Sequence, residues 1–240
     1  MILELDIGNS RIKWRQLDER EGVVIDQGHV SDLDELQQLD ALGAQPLMVR
    51  MSCVRDKNEA DNIGKWVRGR YSLEASRAEV TKSCGSVTNS YEDVSRMGVD
   101  RWLAMLAAYQ STGGPCVVVD GGTALTVDIV AADGQHQGGY ILPGLQLMRR
   151  SLVENTGIRI SATTTSDSKK PGRSTDEAVL NGTLAVLLAL IEQKAAGSTL
   201  LLTGGDAQRL ASMLPEQDLQ VIPSLVLDGL AIACPLNSGG

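Results

Sequence analysis

Apolar residues recur along the first half of the chain in two spacings, one typical of strands and the other of helices. Continuous or alternating apolar runs predict strands, whereas amphipathic runs predict helices. The strands are expected at residues 1–8, 11–17, 22–30 and 47–54, and the helices at residues 31–42, 58–71 and 98–110. Ser31 stands where the first of these helices would take its N-cap. Residues 72–97 are polar and mixed, which indicates a loop-rich segment.

The same order of elements begins again after Pro115. The second series is a hairpin over 116–134, a loop then a helix over 138–156, a flexible polar stretch near 161–175, a helix over 176–196, a strand leading into a glycine turn over 199–210, a short strand over 219–223 and a helix over 224–234. In both hairpins an aspartate ends the first strand, and these two residues, Asp6 and Asp120, lie nearly half the chain apart. Two matching halves of alternating strands and helices predict an α/β fold of two duplicated lobes, residues 1–112 and 113–240.

Composition narrows the class of protein. Of the 240 residues, 42% are hydrophobic and 22% are charged, which is typical of a globular chain. No apolar run approaches the roughly 20 residues that span a bilayer, and the N-terminus lacks the layout of a signal peptide. We therefore expect a cytoplasmic protein without membrane contact. A net charge of −8 disfavours nucleic-acid binding, which needs a basic surface, but it leaves room for small anions held by local groups.

The rarer residue types supply little chemistry of their own. Three Trp, four Tyr and no Phe predict a core built from aliphatic side chains. The four cysteines include no C-x-x-C pair, so reduced thiols are expected. With only His29 and His136, both expected on the surface, a zinc site or a catalytic triad has few residues to draw on.

Three turns share the same order of residue types. Each follows an apolar strand with glycine and a small polar residue, and they occupy residues 6–9, 120–123 and 203–206. Glycine lets backbone N–H groups face a phosphate without a Cβ in the way, and a neighbouring aspartate can hold Mg²⁺ beside that phosphate. One such turn is more often an ordinary hairpin turn. Three of them, two opening parallel halves, favour a phosphate-binding protein.

Four sequence blocks extend this interpretation. They are Asp6-Ile7-Gly8-Asn9-Ser10 with Lys13 and Trp14, Gly98-Val99-Asp100-Arg101-Trp102, Asp120-Gly121-Gly122-Thr123, and Gly139-Tyr140-Ile141-Leu142-Pro143-Gly144. In this order they resemble the type III pantothenate kinase family, over residue 1 to about residue 230. The resemblance implies two ribonuclease-H-like lobes of the actin-like ATPase type, with a nucleotide in the cleft between them. It also implies ATP-dependent phosphorylation of pantothenate to 4′-phosphopantothenate, the first step of coenzyme A biosynthesis.

The resemblance also implies a role for each matching residue. Asp100 would be the general base. The pantothenate site would contain Tyr91, Gly98, Val99, Asp100 and Arg101, and Thr175 would complete it from the partner subunit of a homodimer. ATP would be bound, with Mg²⁺, by Asp6, Ile7, Gly8, Asn9, Ser10, Arg11, Ile12 and Lys13 together with Thr123. Asp120 would bind a monovalent cation, K⁺ or NH₄⁺.

Simpler explanations stay open for several of these residues. Asp100 at a helix start also stabilises the helix dipole. Arg101 could form a surface salt bridge, and Lys13 could be an exposed strand lysine. Trp102, at helical spacing, is expected to fill the core. Two other functions also stay open: a regulatory accessory protein, and a kinase acting on another small alcohol or acid.

Overall fold

The structure, a computed structural model, describes residues 1–161, 164–215 and 218–236. Within these residues the chain forms two compact units. The first comprises Met1–Gln110 and the C-terminal segment that begins at Ser224, and the second comprises Ser111–Pro223. Residues 162–163 of the predicted flexible stretch, and residues 216–217 and 237–240 of the predicted second lobe, lie outside the described residues.

The first unit is centred on a five-stranded sheet. Its strands are β1 (Ile2–Ile7), β2 (Ile12–Leu17), β3 (Val24–Val30), β4 (Met48–Cys53) and β5 (Ala75–Arg77). They stand in the order β3-β2-β1-β4-β5, so that β1 is central, antiparallel to β2 and parallel to β4. The other elements are helices α1 (Leu33–Gln37), α2 (Lys57–Tyr71) and α3 (Val99–Thr112), 3-10 helices Asp40–Gly43 and Val94–Arg96, and a small hairpin of β6 (Ser83–Cys84) and β7 (Val87–Thr88).

The second unit repeats this plan. Its strands are β8 (Cys116–Gly121), β9 (Ala124–Val130), β10 (His136–Pro143), β11 (Thr199–Thr203) and β12 (Leu219–Val221), and its helices are α4 (Leu145–Asn155), α5 (Thr175–Ala195) and α6 (Ala207–Ala211). The strands stand in the order β10-β9-β8-β11-β12, and central β8 is antiparallel to β9 and parallel to β11. The matching strand orders confirm the predicted duplicated α/β fold.

One strand of the second unit was not predicted. Residues 138–143, expected to form a loop, belong to β10, and Gly139 to Pro143 pair in register with β9. The strand lies at the edge of its sheet, where glycine and proline are tolerated because one side needs no ladder hydrogen bonds. His136 begins this strand and is 1% exposed, with its Nε2 3.1 Å from Asp128 Oδ1, so the predicted surface position of His136 is wrong.

The first helix begins one residue later than predicted. Asp32 rather than Ser31 is the N-cap of α1, because the Asp32 carboxylate accepts the N–H of Glu35 at 2.9 Å. The Glu35 carboxylate in turn accepts the N–H of Ser31 at 2.9 Å. Side chains thereby satisfy two of the N–H groups around this helix start.

The last helix, α7 (Leu225–Ala233), belongs to the first unit rather than to the predicted lobe of residues 113–240. A buried ionic network accounts for this difference. Glu4 of β1 is fully buried and accepts hydrogen bonds from Arg15 Nε at 2.6 Å and Arg50 Nη1 at 2.9 Å. Arg15 also forms an ion pair with Asp228 of α7. A buried carboxylate requires cationic partners. One of these, Arg15, also pairs with Asp228, and this ion pair holds α7 against the sheet of the first unit.

Aliphatic side chains fill both units, as the composition predicts. Trp102 is fully buried in α3, which confirms its predicted packing role. The four cysteines, all of which lie among the described residues, are free thiols, as expected. Burial raises the pKa of the Cys116 thiol to about 11, so that this thiol stays protonated near neutral pH.

Helix α5 spans 21 residues and is rich in apolar side chains. By length and composition alone, its most apolar stretch could cross a bilayer, so the expectation that no segment approaches that length is wrong for this helix. Half of that stretch is buried in the protein, however, and its apolar side chains include the core residues Leu184, Leu187, Leu188 and Ile191. A helix in the core of a globular protein can be equally long and apolar, so one such helix is weak evidence for a membrane span.

The contact between α7 and α3 predicts a pair of opposite stability changes. A Cβ on Gly229 would overlap the backbone carbonyl of Leu103, so Gly229→Ala should destabilise the protein by about 1–3 kcal/mol. Gly182 of α5 has open space around its missing Cβ, so Gly182→Ala should stabilise by about 0.5–1 kcal/mol through its higher helix propensity. Urea unfolding of the two variants measures both changes. Equal shifts in the same direction would contradict the close packing of α7 on α3.

Candidate active site

The end of strand β1 places a buried carboxylate between two polar neighbours. Asp6 lies in register with Lys13 on β2 and with Ser52 on β4. The Ser52 hydroxyl donates a hydrogen bond to Asp6 Oδ1 at 2.8 Å. Asp6 is only 5% exposed, and this burial raises its pKa, while Ser52 and Lys13 act in the opposite direction. Lys13 therefore stands beside Asp6, where it can also reach a bound anion.

The turn that follows β1 is fixed at its glycine. The N–H of Gly8 donates to the carbonyl of Arg11 at 3.0 Å, and the carbonyl of Gly8 accepts from Arg55 Nε at 2.6 Å. The polar residues Asn9, Ser10 and Arg11 at the tip of the turn are exposed, whereas the flanking Ile7 and Ile12 are buried. The two isoleucines thus hold the ends of the turn in the core and leave its polar tip accessible.

A second carboxylate, Asp100, belongs to the first turn of α3. Asp100 is half-buried, and its negative charge makes the smallest contribution to the raised pKa of Asp6, well behind that of burial. Asp100 Oδ1 accepts the N–H of Arg101 at 2.8 Å. A Cβ on Gly98 would overlap Asp100 Oδ1, so this carboxylate position requires glycine two residues earlier. Val99, between them, is the first residue of the helix.

Arg101 and Tyr91 form a pair next to these carboxylates. Arg101 is 6% exposed, and its Nη1 donates to the Tyr91 hydroxyl at 3.0 Å. Its guanidinium also lies 5.8 Å from the centre of the Tyr91 ring. Arg101 is thus a buried rather than a surface residue, and one of its contacts is with an aromatic side chain. Tyr91 also lines an open cavity of about 470 Å³, together with Glu92, Asp93 and Arg96.

The second unit has the equivalent carboxylate at the end of β8. Asp120 is half-buried and lies in register with Thr126 on β9 and Thr203 on β11. Gly204 has a φ of +88°, and a Cβ there would overlap Asp120 Oδ1 and the backbone of Gly121. The backbone after β11 can therefore approach the end of β8 only because residue 204 is glycine.

The turn after Asp120 is held by backbone contacts. The N–H of Gly144 donates to the carbonyl of Thr123 at 2.9 Å, and the N–H of Asp206 donates to the carbonyl of Gly121 at 2.9 Å. Thr123 itself is exposed at the tip of the turn. Thr175 is also exposed, in the first turn of α5, where Ser174 is the N-cap. The two threonines are thus surface groups of the second unit.

Sequence reasoning missed two residues of the first unit, Ser52 and Arg55. Ser52 is a polar residue at a fully buried strand position, and its pairing with Asp6 follows once β4 is placed parallel to β1. Arg55 is found only from the structure, because its contact with Gly8 joins residues 47 positions apart.

Metal binding at this site would rest on few protein ligands. Among residues 1–161, 164–215 and 218–236, no three His, Cys, Asp or Glu side chains are grouped to hold an ion. Mg²⁺ at nucleotide sites is usually held by one or two carboxylates plus phosphate oxygens, so a single carboxylate such as Asp6 suits it. The donor chemistry at the end of β1 therefore fits a nucleotide-bound ion.

Comparison with known proteins decides the family. The family model for type III pantothenate kinase matches residues 2–196. The chain belongs to the type III pantothenate kinase family. A type III pantothenate kinase from Ectopseudomonas mendocina is 41% identical over 99% of this chain and 100% of the relative. Another from Azotobacter vinelandii is 39% identical, with the same coverage of both chains. The chain is accordingly a kinase, a phosphotransferase that uses ATP.

Solved structures show the fold beyond this family. A proposed Baf-family transcriptional activator from Campylobacter jejuni is 24% identical, with a TM-score of 0.66 over 95% of this chain and 94% of that chain. A proposed 2-dehydro-3-deoxygalactonokinase from Sinorhizobium meliloti is 14% identical, with a TM-score of 0.58 over 97% and 98%. These likenesses place the kinase in the fold of the sugar kinases and actin-like ATPases.

Proposed function

We propose that this family member transfers the γ-phosphoryl group of ATP to pantothenate in the cytoplasm, and that Asp100 is the general base. The product is 4′-phosphopantothenate, and the reaction is the first step of coenzyme A biosynthesis. One observation carries the proposal: the half-buried carboxylate of Asp100 opens helix α3 directly before the buried guanidinium of Arg101, in the same unit as the buried Asp6.

The chemistry requires a proton acceptor beside the attacking alcohol. As the hydroxyl oxygen of pantothenate bonds to the γ-phosphorus, the bond from that phosphorus to the bridging oxygen breaks and ADP leaves. The hydroxyl proton passes to the carboxylate of Asp100. The half-buried position of Asp100 and the hydrogen bond that it accepts from the N–H of Arg101 fix its direction. A carboxylate placed in this way typically contributes about 10²–10⁴ in rate.

Pantothenate itself carries a carboxylate, which suits Arg101. A guanidinium pairs with a carboxylate through two parallel hydrogen bonds, and the burial of Arg101 strengthens such a pair. Tyr91, whose hydroxyl accepts a hydrogen bond from Arg101, would orient that guanidinium and contact the substrate. Gly98 and Val99 would supply backbone contacts beside Asp100. Together with Asp100, these four residues would account for both ends of the acceptor, its charge and its reacting hydroxyl.

ATP would be bound through its phosphates by the turns after β1 and β8. In the turn over residues 6–13 the exposed tip, residues 9–11, and Lys13 would contact the phosphates, and the exposed Thr123 would supply a hydroxyl from the second unit. Asp6 would hold Mg²⁺, which neutralises charge on the phosphates when bound. Asp120 would bind K⁺ or NH₄⁺, since its half-buried carboxylate stands among backbone groups of the glycine turn.

The role of Asp100 is tested by Asp100→Asn. The amide keeps the size of the side chain but cannot accept the proton, so kcat should fall by about 10²–10⁴ while the Kd for pantothenate changes little. Steady-state kinetics and calorimetric titration measure the two quantities. Asp34→Asn, at an exposed first-turn position of α1, is the matched control for the helix dipole and should leave kcat unchanged. A near-wild-type kcat for Asp100→Asn would remove Asp100 from the role of base.

The proposed homodimer, with Thr175 completing the pantothenate site of its partner, is tested by mixing variants. Asp100→Asn and Thr175→Ala homodimers should each be impaired. After subunit exchange, each mixed dimer holds one intact site and one doubly altered site, so activity should recover to about a quarter of wild type. Copurification of differently tagged chains demonstrates the exchange. If exchanged chains show no recovery, Thr175 does not act across a subunit interface.

A further inference from the structure

The loop between the β6-β7 hairpin and helix α3 is fastened by one buried side chain. Asn89 follows β7 directly and is 0% exposed. Its Oδ1 accepts the N–H of Tyr91 at 2.9 Å, near the start of the loop. Its Nδ2 donates to Met97 Sδ at 3.4 Å, at the end of the loop. A single amide group therefore spans the base of the loop over residues 89–97.

Backbone contacts add a second fastening on the hairpin side. The N–H of Asn89 donates to the carbonyl of Lys82 at 2.9 Å. The ammonium of Lys82 donates to the carbonyl of Asn89 at 2.8 Å and to that of Tyr91 at 3.4 Å. The backbone around Asn89 is thereby held on both faces, which leaves its side chain little freedom to turn away from the loop.

Both ends of the fastened loop lead into the proposed pantothenate site. At one end, the Tyr91 hydroxyl accepts a hydrogen bond from Arg101 Nη1 at 3.0 Å. Met97 directly precedes Gly98, whose missing Cβ makes room for the carboxylate of Asp100. The amide of Asn89 thus sets the distance between the Tyr91 backbone and the start of the turn that presents Asp100.

The loop also forms the wall of the open cavity. The residues that line this cavity, of about 470 Å³, are Tyr91, Glu92, Asp93 and Arg96, all between the two points that Asn89 joins. Within the loop, Asp93 accepts the N–H of Ser95 at 3.0 Å and so caps the short 3-10 helix. Local hydrogen bonds shape the rim of the cavity, and the side chain of Asn89 joins its two ends.

We propose that Asn89 is a positioning residue for pantothenate, because its amide holds Tyr91 and the Gly98–Arg101 turn at the spacing that the substrate needs. The inference rests on the proposed function, in which Tyr91 and Arg101 contact pantothenate. Asn89 touches neither the substrate nor the reacting atoms in this account. Its loss should therefore weaken acceptor binding while the turn after β1 keeps its affinity for ATP.

Asn89→Ala removes both side-chain bonds and should raise the KM and the Kd for pantothenate roughly tenfold, the change that corresponds to one buried hydrogen bond. The KM for ATP should stay within about twofold of wild type, since ATP contacts other residues. Asn89→Asp keeps an acceptor for the N–H of Tyr91 and should restore part of the affinity. Met97→Leu removes the sulfur acceptor at similar volume, so it should raise the Kd for pantothenate, but less than Asn89→Ala, because the bond from the N–H of Tyr91 to Asn89 remains.

The matched control is Asn155→Ala. Asn155 is exposed in α4, and its Nδ2 donates to the carbonyl of Ser151 at 2.9 Å. The variant therefore loses one hydrogen bond from a side-chain amide, far along the chain from the loop. Its Kd for pantothenate should equal that of wild type. Calorimetric titration with pantothenate, alongside steady-state kinetics, gives the comparison.

The outcomes separate this inference from the proposed function. If wild-type protein binds no pantothenate, the proposed function fails and the inference fails with it. If wild type binds pantothenate and Asn89→Ala binds it equally well, only the positioning role is overturned. Equal increases in the KM for ATP and for pantothenate would likewise overturn it, as a general loss of structure. If Asn89→Ala does not fold, Asn89→Asp tests the positioning role instead. If Asn89→Asp binds ATP and pantothenate more weakly by the same factor, so that the ratio of their KM values is unchanged, the proposal is contradicted.

Discussion

The carboxyl end of the central strand in each unit is the position on which the rest of the structure depends. β1 and β8 each stand between an antiparallel partner on one side and a parallel partner on the other. This arrangement puts Asp6 and Asp120 in register with polar residues from both neighbours. Ligands of α/β sheets collect at strand carboxyl ends, and a glycine turn there frees backbone N–H groups to meet them. The proposed phosphate and cation sites both use this shared geometry.

Strand β1 also carries a residue that serves the fold rather than the site: Glu4, two residues before Asp6. Glu4 is fully buried with Arg15 and Arg50, and Arg15 extends the network to Asp228 of α7. Buried ion pairs add little net stability compared with apolar packing, but losing one partner is costly. The network therefore fixes which helix covers the sheet more than it strengthens the fold. It explains why the last helix returns to the first unit.

Periodicity and turn chemistry were enough to predict most strands, most helices and the duplication of the fold. They failed where long-range contacts decide. The edge strand β10 contains Gly139 and Pro143, which signal a loop to any local rule, and its pairing with β9 overrides that signal. His136 and Asp128 bury each other, and neither residue type reveals this on its own. The position of α7 depends on Arg15, more than 200 residues away along the chain.

The candidate site was predictable in part. Asp6 and Asp100 stand in short motifs, and the structure places both in the first unit. Ser52 and Asn89 could not be predicted in the same way, because each acts through a partner that only the folded chain brings near. Motifs therefore identify groups that touch ligands, whereas the residues that orient those groups emerge from packing and register.

Purified protein with ATP, Mg²⁺ and K⁺ tests the central claim most directly, through the rate of ADP release with and without pantothenate. We expect ADP release that requires pantothenate and that falls sharply when Na⁺ replaces K⁺. Folded protein that releases no ADP with pantothenate in either K⁺ or NH₄⁺ would contradict the account.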